Sequence, residues 1–110
     1  MTVALVYVTF PEPEQARSIA REMIEQRLAA CVTFWPAGSM YWWEGEIETT
    51  EETLALFKTH EGRVHELTRR LSDAHPHDVP CVLPWPTFQP LEAYEAWVRK
   101  EATGAGASPA

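Results

Sequence analysis

Basic residues are scarce in this sequence. Nine Lys and Arg stand against 16 Asp and Glu, for a formal net charge of −7, and no basic run occurs. Such a chain makes a poor partner for nucleic acid or an anionic membrane, both of which are gripped by clustered cations. Long apolar runs are missing too: nothing approaches the roughly 20 residues that a membrane span needs. No charged leader precedes the first apolar stretch, so a signal peptide is not expected and the cytoplasm is the expected compartment. Cysteine is limited to Cys31 and Cys81, outside any C-x-x-C pair, which excludes a disulfide framework. There is no glycine-rich phosphate loop, no G-x-S-x-G and no H-E-x-x-H. An enzyme is not expected.

What remains is an ordinary globular composition. The 110 residues, 45% of them apolar, suffice for one domain with one core. Val3 to Phe10 is continuously apolar and rich in β-branched and aromatic residues, which predicts a central strand covered on both faces. Pro11 and Pro13 break it, and Pro13 suits the first turn of a helix. Ala16, Ile19, Ala20, Met23, Ile24 and Leu28 then recur at spacings of three and four, the mark of a helix laid on a sheet. A second extended stretch spans residues 29–43, interrupted at Pro36-Ala37-Gly38. Proline removes a ladder donor, so this strand belongs at an edge or carries a bulge. Glu44-Gly45 forms a hairpin tip, and the return arm runs from Glu46 to Thr59 as a long ribbon. Its acids Glu48, Glu51 and Glu52 read as a solvated face.

Thr59 is placed to cap a second helix over residues 61–74, buried through Val64, Leu67, Leu71 and Ala74. A last strand covers residues 80–87, whose Pro84 and Pro86 also send it to an edge. Leu91, Tyr94, Trp97 and Val98 mark a final helix. Residues 1–101 read as a single domain, and the small residues of 102–110 as a flexible tail. The order βαββαβ plus a helix is the split βαβ pattern, an α+β ferredoxin-like sandwich with an extended hairpin. Its strand order, 4-1-3-2, puts both proline-bearing strands outside. Cys31 and Cys81 then lie about 14 Å apart across the sheet, too far for a bridge.

Chemistry is concentrated in few places. Trp42 and Trp43 must point to opposite faces of the ribbon, so at least one indole is wet, which points to a protein interface. His75-Pro76-His77 brackets a rigid proline with two imidazoles, donors that suit Cu(II) and similar divalent cations. Cys81 would add a thiolate. Lys58 closes an apolar strand just before a helix and is a candidate partner for an anion. Related RNA-binding domains carry an aromatic motif on a central strand, but here that strand reads Leu54-Ala55-Leu56-Phe57-Lys58. RNA binding is rejected.

These residues resemble the CutA family. The resemblance is carried by Val8-Thr9-Phe10-Pro11, by Leu28-Ala29-Ala30-Cys31-Val32 and by Ser39-Met40-Tyr41-Trp42-Trp43-Glu44-Gly45. It continues through Leu56-Phe57-Lys58-Thr59, His75-Pro76 with Val79-Pro80, and Tyr94 followed by Trp97. It implies a compact homotrimer related in architecture to the PII signalling proteins, whose hairpins embrace their neighbours. It also implies a role in tolerance of copper and other divalent cations, without an organic cofactor. The chain departs from the family pattern at Thr33, His77 and Cys81. The copper site proposed for some bacterial relatives would fall on Val8, Ala74 and His75, of which only His75 is a ligand. The expected metal residues are therefore His75, His77 and Cys81. An alternative is a PII-like module that takes a small anionic effector in a cleft between subunits, lined by Tyr41, Trp43, Glu44, Lys58, Tyr94 and Trp97.

Overall fold

The computed structural model describes residues 2–103. Four strands and three helices follow in the order β1 (Val3–Phe10), α1 (Pro13–Glu25), β2 (Cys31–Trp43), β3 (Glu46–His60), α2 (Val64–Ala74), β4 (Val82–Pro86) and α3 (Glu92–Thr103). A single turn of 3₁₀ helix, Glu61–Arg63, leads into α2. The sheet order is β2-β3-β1-β4, antiparallel throughout. The ferredoxin-like arrangement and both edge assignments are thus as expected.

Pro13 opens α1, its fixed φ matching the first helical turn. The helix ends at Glu25, short of Leu28, because Arg27 turns into the left-handed region at φ 60°. There the Leu28 N–H donates to the Met23 carbonyl and the Arg27 N–H to that of Ile24, the two bonds of a Schellman motif. Leu28 still reaches the core, now from the turn rather than from the helix. That core joins Val6, Val8 and Phe10 of β1 and Phe57 of β3 to Ala16, Ala20 and Met23 of α1 and Leu67 and Leu71 of α2. Val64 is only half-buried and Ala74 is exposed, which narrows the expected buried stripe of α2. Nor is Thr59 the cap of that helix. It is buried and donates to the Leu28 carbonyl at 2.7 Å, while the His60 ring accepts the Gly62 N–H.

The proline in β2 causes no bulge. Pro36 pairs in register with Thr53, and the strand runs unbroken from Cys31 to Trp43. An edge strand has one side free of partners, so the missing N–H is tolerated. β1 stops at Phe10 opposite Thr53, and beyond that point β2 and β3 continue alone. Seven further residue pairs carry the ribbon about 23 Å outward. Glu44 and Gly45, at φ 51° and 83°, close it in a two-residue turn of the type that matches strand twist. The chain is accordingly elongated, 50 × 26 × 21 Å.

Only one face of the sheet is fully covered. Val6, Val8 and Phe10 are buried under α1 and α2, whereas Leu5, Tyr7 and Thr9 on the opposite face are half-buried. The expected double cover of β1 is therefore incomplete in one chain. α3 shields part of this open face through Val98 and Ala102, both fully buried. Arg27 anchors it by an ion pair to Glu101 at 2.7 Å. The helix runs two residues into the stretch read as a tail. Residues 104–110 lie outside the described part.

Candidate functional site

Two regions collect the residues singled out by sequence, at opposite ends of the open face. The first is a groove of about 1030 Å³ between the ribbon and the loop that follows α2. Tyr7, Tyr41 and Trp43 form aromatic walls, and His77, Asp78 and Cys81 close the other side. Glu48 and Glu52 also line it, and no Lys or Arg does. Part of the ribbon's acid run therefore faces a concave surface, rather than forming the plain solvated face that was expected.

His75 organises this loop. Proline at position 76 keeps His75 out of the α region, and it ends α2 in an extended conformation. Its ring is 7% exposed and stacks on Phe10 with centroids 4.8 Å apart. Nε2 donates to the Thr9 carbonyl at 2.7 Å, and Nδ1 accepts the His77 N–H at 3.0 Å. That pairing fixes the proton on Nε2. Burial pushes the imidazole pKa down, and the His77 charge adds to this, while the Thr9 bond and Glu52 act in the opposite direction. With both nitrogens bonded to backbone, His75 has no lone pair to offer a metal. His77, with its ring centroid 5.1 Å from that of His75, and Cys81 are exposed. Among the described residues no three His, Cys, Asp or Glu side chains gather into a group able to hold a metal ion. The donors do not form a closed resident site within one chain.

The second region lies where α3 crosses the open face. Lys58 pairs across the strands with Cys31 on one side and Leu5 on the other. The Lys58 ammonium donates to the Thr33 hydroxyl. Cys31 Sγ is 3.4 Å from the Tyr94 hydroxyl, and the Tyr94 ring packs on Trp97 with centroids 5.7 Å apart. Burial, and then the bond to Cys31, raise the Tyr94 pKa to about 12, so the phenol stays neutral. Tyr41, Trp43 and Glu44 sit on the ribbon, eight or more residues up β2 from Thr33, a separation of about 26 Å or more. One chain does not bring the two halves of the expected cleft together.

Sequence reasoning passed over His60. Assigning the cap to Thr59 left this histidine without a role, yet its ring is buried and its Nε2 has no hydrogen-bond partner. A histidine directly before a polar helix start was the available signal. Glu52 and Asp78 were missed for another reason: they are far apart in the sequence, and only the fold brings both to the groove.

The comparisons with known proteins fit this architecture. Residues 4–101 match the family model described as CutA1 divalent ion tolerance protein. The chain belongs to that family. Across 87% of its length it is 40% identical to the divalent-cation tolerance protein CutA of Thermotoga maritima, covering 95% of that protein. The crystal structure of CutA from Xylella fastidiosa superposes with a TM-score of 0.89 at 37% identity, covering 93% of this chain and 99% of that one. The periplasmic divalent cation tolerance protein CutA of Archaeoglobus fulgidus gives 0.88 at 31% identity, over 91% and 98% of the two chains. The CutA family consists of non-enzymatic tolerance proteins, and this chain is one of them.

Proposed function

We propose that this protein serves divalent-ion tolerance as a homotrimer. The observation that carries the reading is the open sheet face, where Leu83 is 50% exposed and Trp85 39%. Neighbouring apolar side chains exposed together in this way mark a surface that a partner covers. Out on the ribbon Trp42 is 73% exposed, opposite Ile47 at 60%. The two sheet edges, β2 and β4, have no further strand partner among the described residues. Joining one edge to the other edge of the next copy is a head-to-tail contact, which makes a ring where the rotation between copies closes. Three is the number that the family resemblance implies. The cytoplasm suits the two unbridged cysteines.

In this reading a copper or other divalent ion is a cargo or signal rather than a resident cofactor. His77 and Cys81 are the exposed donors in the groove, and His75 positions His77 through its backbone. Sedimentation followed by calorimetric titration with Cu(II), and with redox-inert Zn(II), tests both parts. A trimer that binds below about micromolar, and loses binding in a His77→Ala/Cys81→Ser variant, is the expected result. A monomer, or equal binding by the variant, overturns it.

A second reading, a PII-like module for a small anionic effector, is favoured by one observation. Lys58 is half-buried and, among the described residues, has no carboxylate within ion-pair distance. Most arginines do: Arg21, Arg27, Arg63, Arg69, Arg70 and Arg99 all have an acidic partner. In the trimer, Tyr41, Trp43 and Glu44 of one copy would complete the cleft around Lys58 of the next.

A further inference from the structure

We propose that Pro84 and Pro86 make the outer edge of β4 selective for one strand, the Gly38–Trp42 stretch of β2 in a second copy. This rests on the trimer reading above and adds to it the residues that fix the pairing. The Thr87 N–H donates to the Val3 carbonyl, and main-chain polar groups point to alternate sides along a strand. With Val6 opposite Pro84 and Ala4 opposite Pro86, Leu83 and Trp85 bond to β1, while Val82, Pro84 and Pro86 face outward. Proline has no N–H. The free edge therefore offers three carbonyls and one donor, that of Val82. Two β4 edges set together would bring carbonyls and proline rings against each other. A strand rich in outward N–H groups is required instead.

The even-numbered residues of β2 supply them. The Glu61 N–H bonds to the Thr2 carbonyl, which fixes the alternation across β1 and β3. The pairing of Cys31 with Lys58 carries it to β2, whose even-numbered residues face outward. Pro36 interrupts their donors. Val32 and Phe34 remain on one side of it, and Gly38, Met40 and Trp42 on the other. Only the second set gives three successive donors for three successive carbonyls. On the ribbon's other side Ile47, Thr49 and Glu51 also face outward, but there β1, ending at Phe10 opposite Thr53, stands in line with any added strand. Beside β2 no strand lies among the described residues. A second observation favours the same stretch. On the helix-covered face a hollow of about 150 Å³, lined by Ala4, Val64, Pro84 and Pro86 and closed by Glu61 and Trp85, adjoins the β4 edge. Met40 is exposed and lies on that face, the face of Val32 and its buried partner Phe57. Pairing centred on Met40 and Pro84 sets this flexible side chain beside the hollow, and methionine fills irregular gaps of this kind.

Amide exchange and sedimentation of the full-length protein test the pairing. In the wild-type assembly the Gly38, Met40 and Trp42 amides should exchange at least about tenfold more slowly than those of Ile47, Thr49 and Glu51. Met40→Pro removes the central donor at an outward position of the kind that Pro36 already occupies, and should weaken assembly about tenfold. Thr49→Pro makes the same change on the opposite side of the ribbon and should leave assembly unchanged. Circular dichroism checks that both variants keep the protomer fold. Fast exchange at Gly38, Met40 and Trp42 in an assembled wild type overturns the proposal, as does a loss in Thr49→Pro equal to that in Met40→Pro. Either result leaves the trimer reading standing. A monomeric wild type overturns both.

Discussion

His75 shows how much one side chain can organise. Two backbone bonds and a stacked phenylalanine hold it in the neutral form. Its pKa is lowered from 6.5, so its contribution to stability is fully present above pH 6.5. As the pH falls through that value, the unfolded chain takes up the proton first and stability declines until the folded-state pKa is passed. The thermal midpoint should therefore drop below pH 6.5, and the drop should be shallower in His75→Gln. Parallel pH profiles for the two proteins would show that this ring is not responsible. Gly45 is the other residue of this kind. At φ 83° any side chain is strained although nothing lies within 4 Å of its Cβ position. Gly45→Ala should cost about 1 kcal/mol in chemical denaturation, through conformation alone.

At the scale of elements, α1 and α2 hold the fold on one face only. Leu67 and Leu71 are fully buried among β1, β3 and α1. Leu67→Ala should destabilise by about 2–5 kcal/mol, the transfer term plus a cavity, as read from the urea midpoint. Periodicity made these elements legible because an apolar stripe has one explanation, a face turned to the core. Their ends were less legible. α1 stops early because Arg27 adopts the left-handed conformation, which arginine seldom does, so no glycine announced it. Pro36 suggested a break, but breaking depends on whether the lost N–H faced a partner. That depends on where β2 lies in the sheet.

Over the whole molecule, the asymmetry of burial is the main result. One face of the sheet is closed by helices, while the other is covered only in part by α3, and the ribbon and both edges are bare in the single chain. Trp85→Glu on the open face should leave the protomer fold intact by circular dichroism and shift sedimentation toward the monomer. An unchanged sedimentation coefficient would mean that this face is not the interface. In the proposed trimer the expected cleft would form only between copies, because its two halves lie far apart along a 50 Å chain.

The sequence by itself determined the element order, the hairpin tip, the edge strands and the family. Each follows from local chemistry: period, proline, turn residues and motif order. Only the tertiary structure decided which polar groups were free. His75 looked available for a metal until folding bonded both its nitrogens to backbone. His60 looked unremarkable until folding buried it with a donor unspent. Lone pairs and donors are used up by groups far away in the chain, and spacing along a sequence carries no record of those distances.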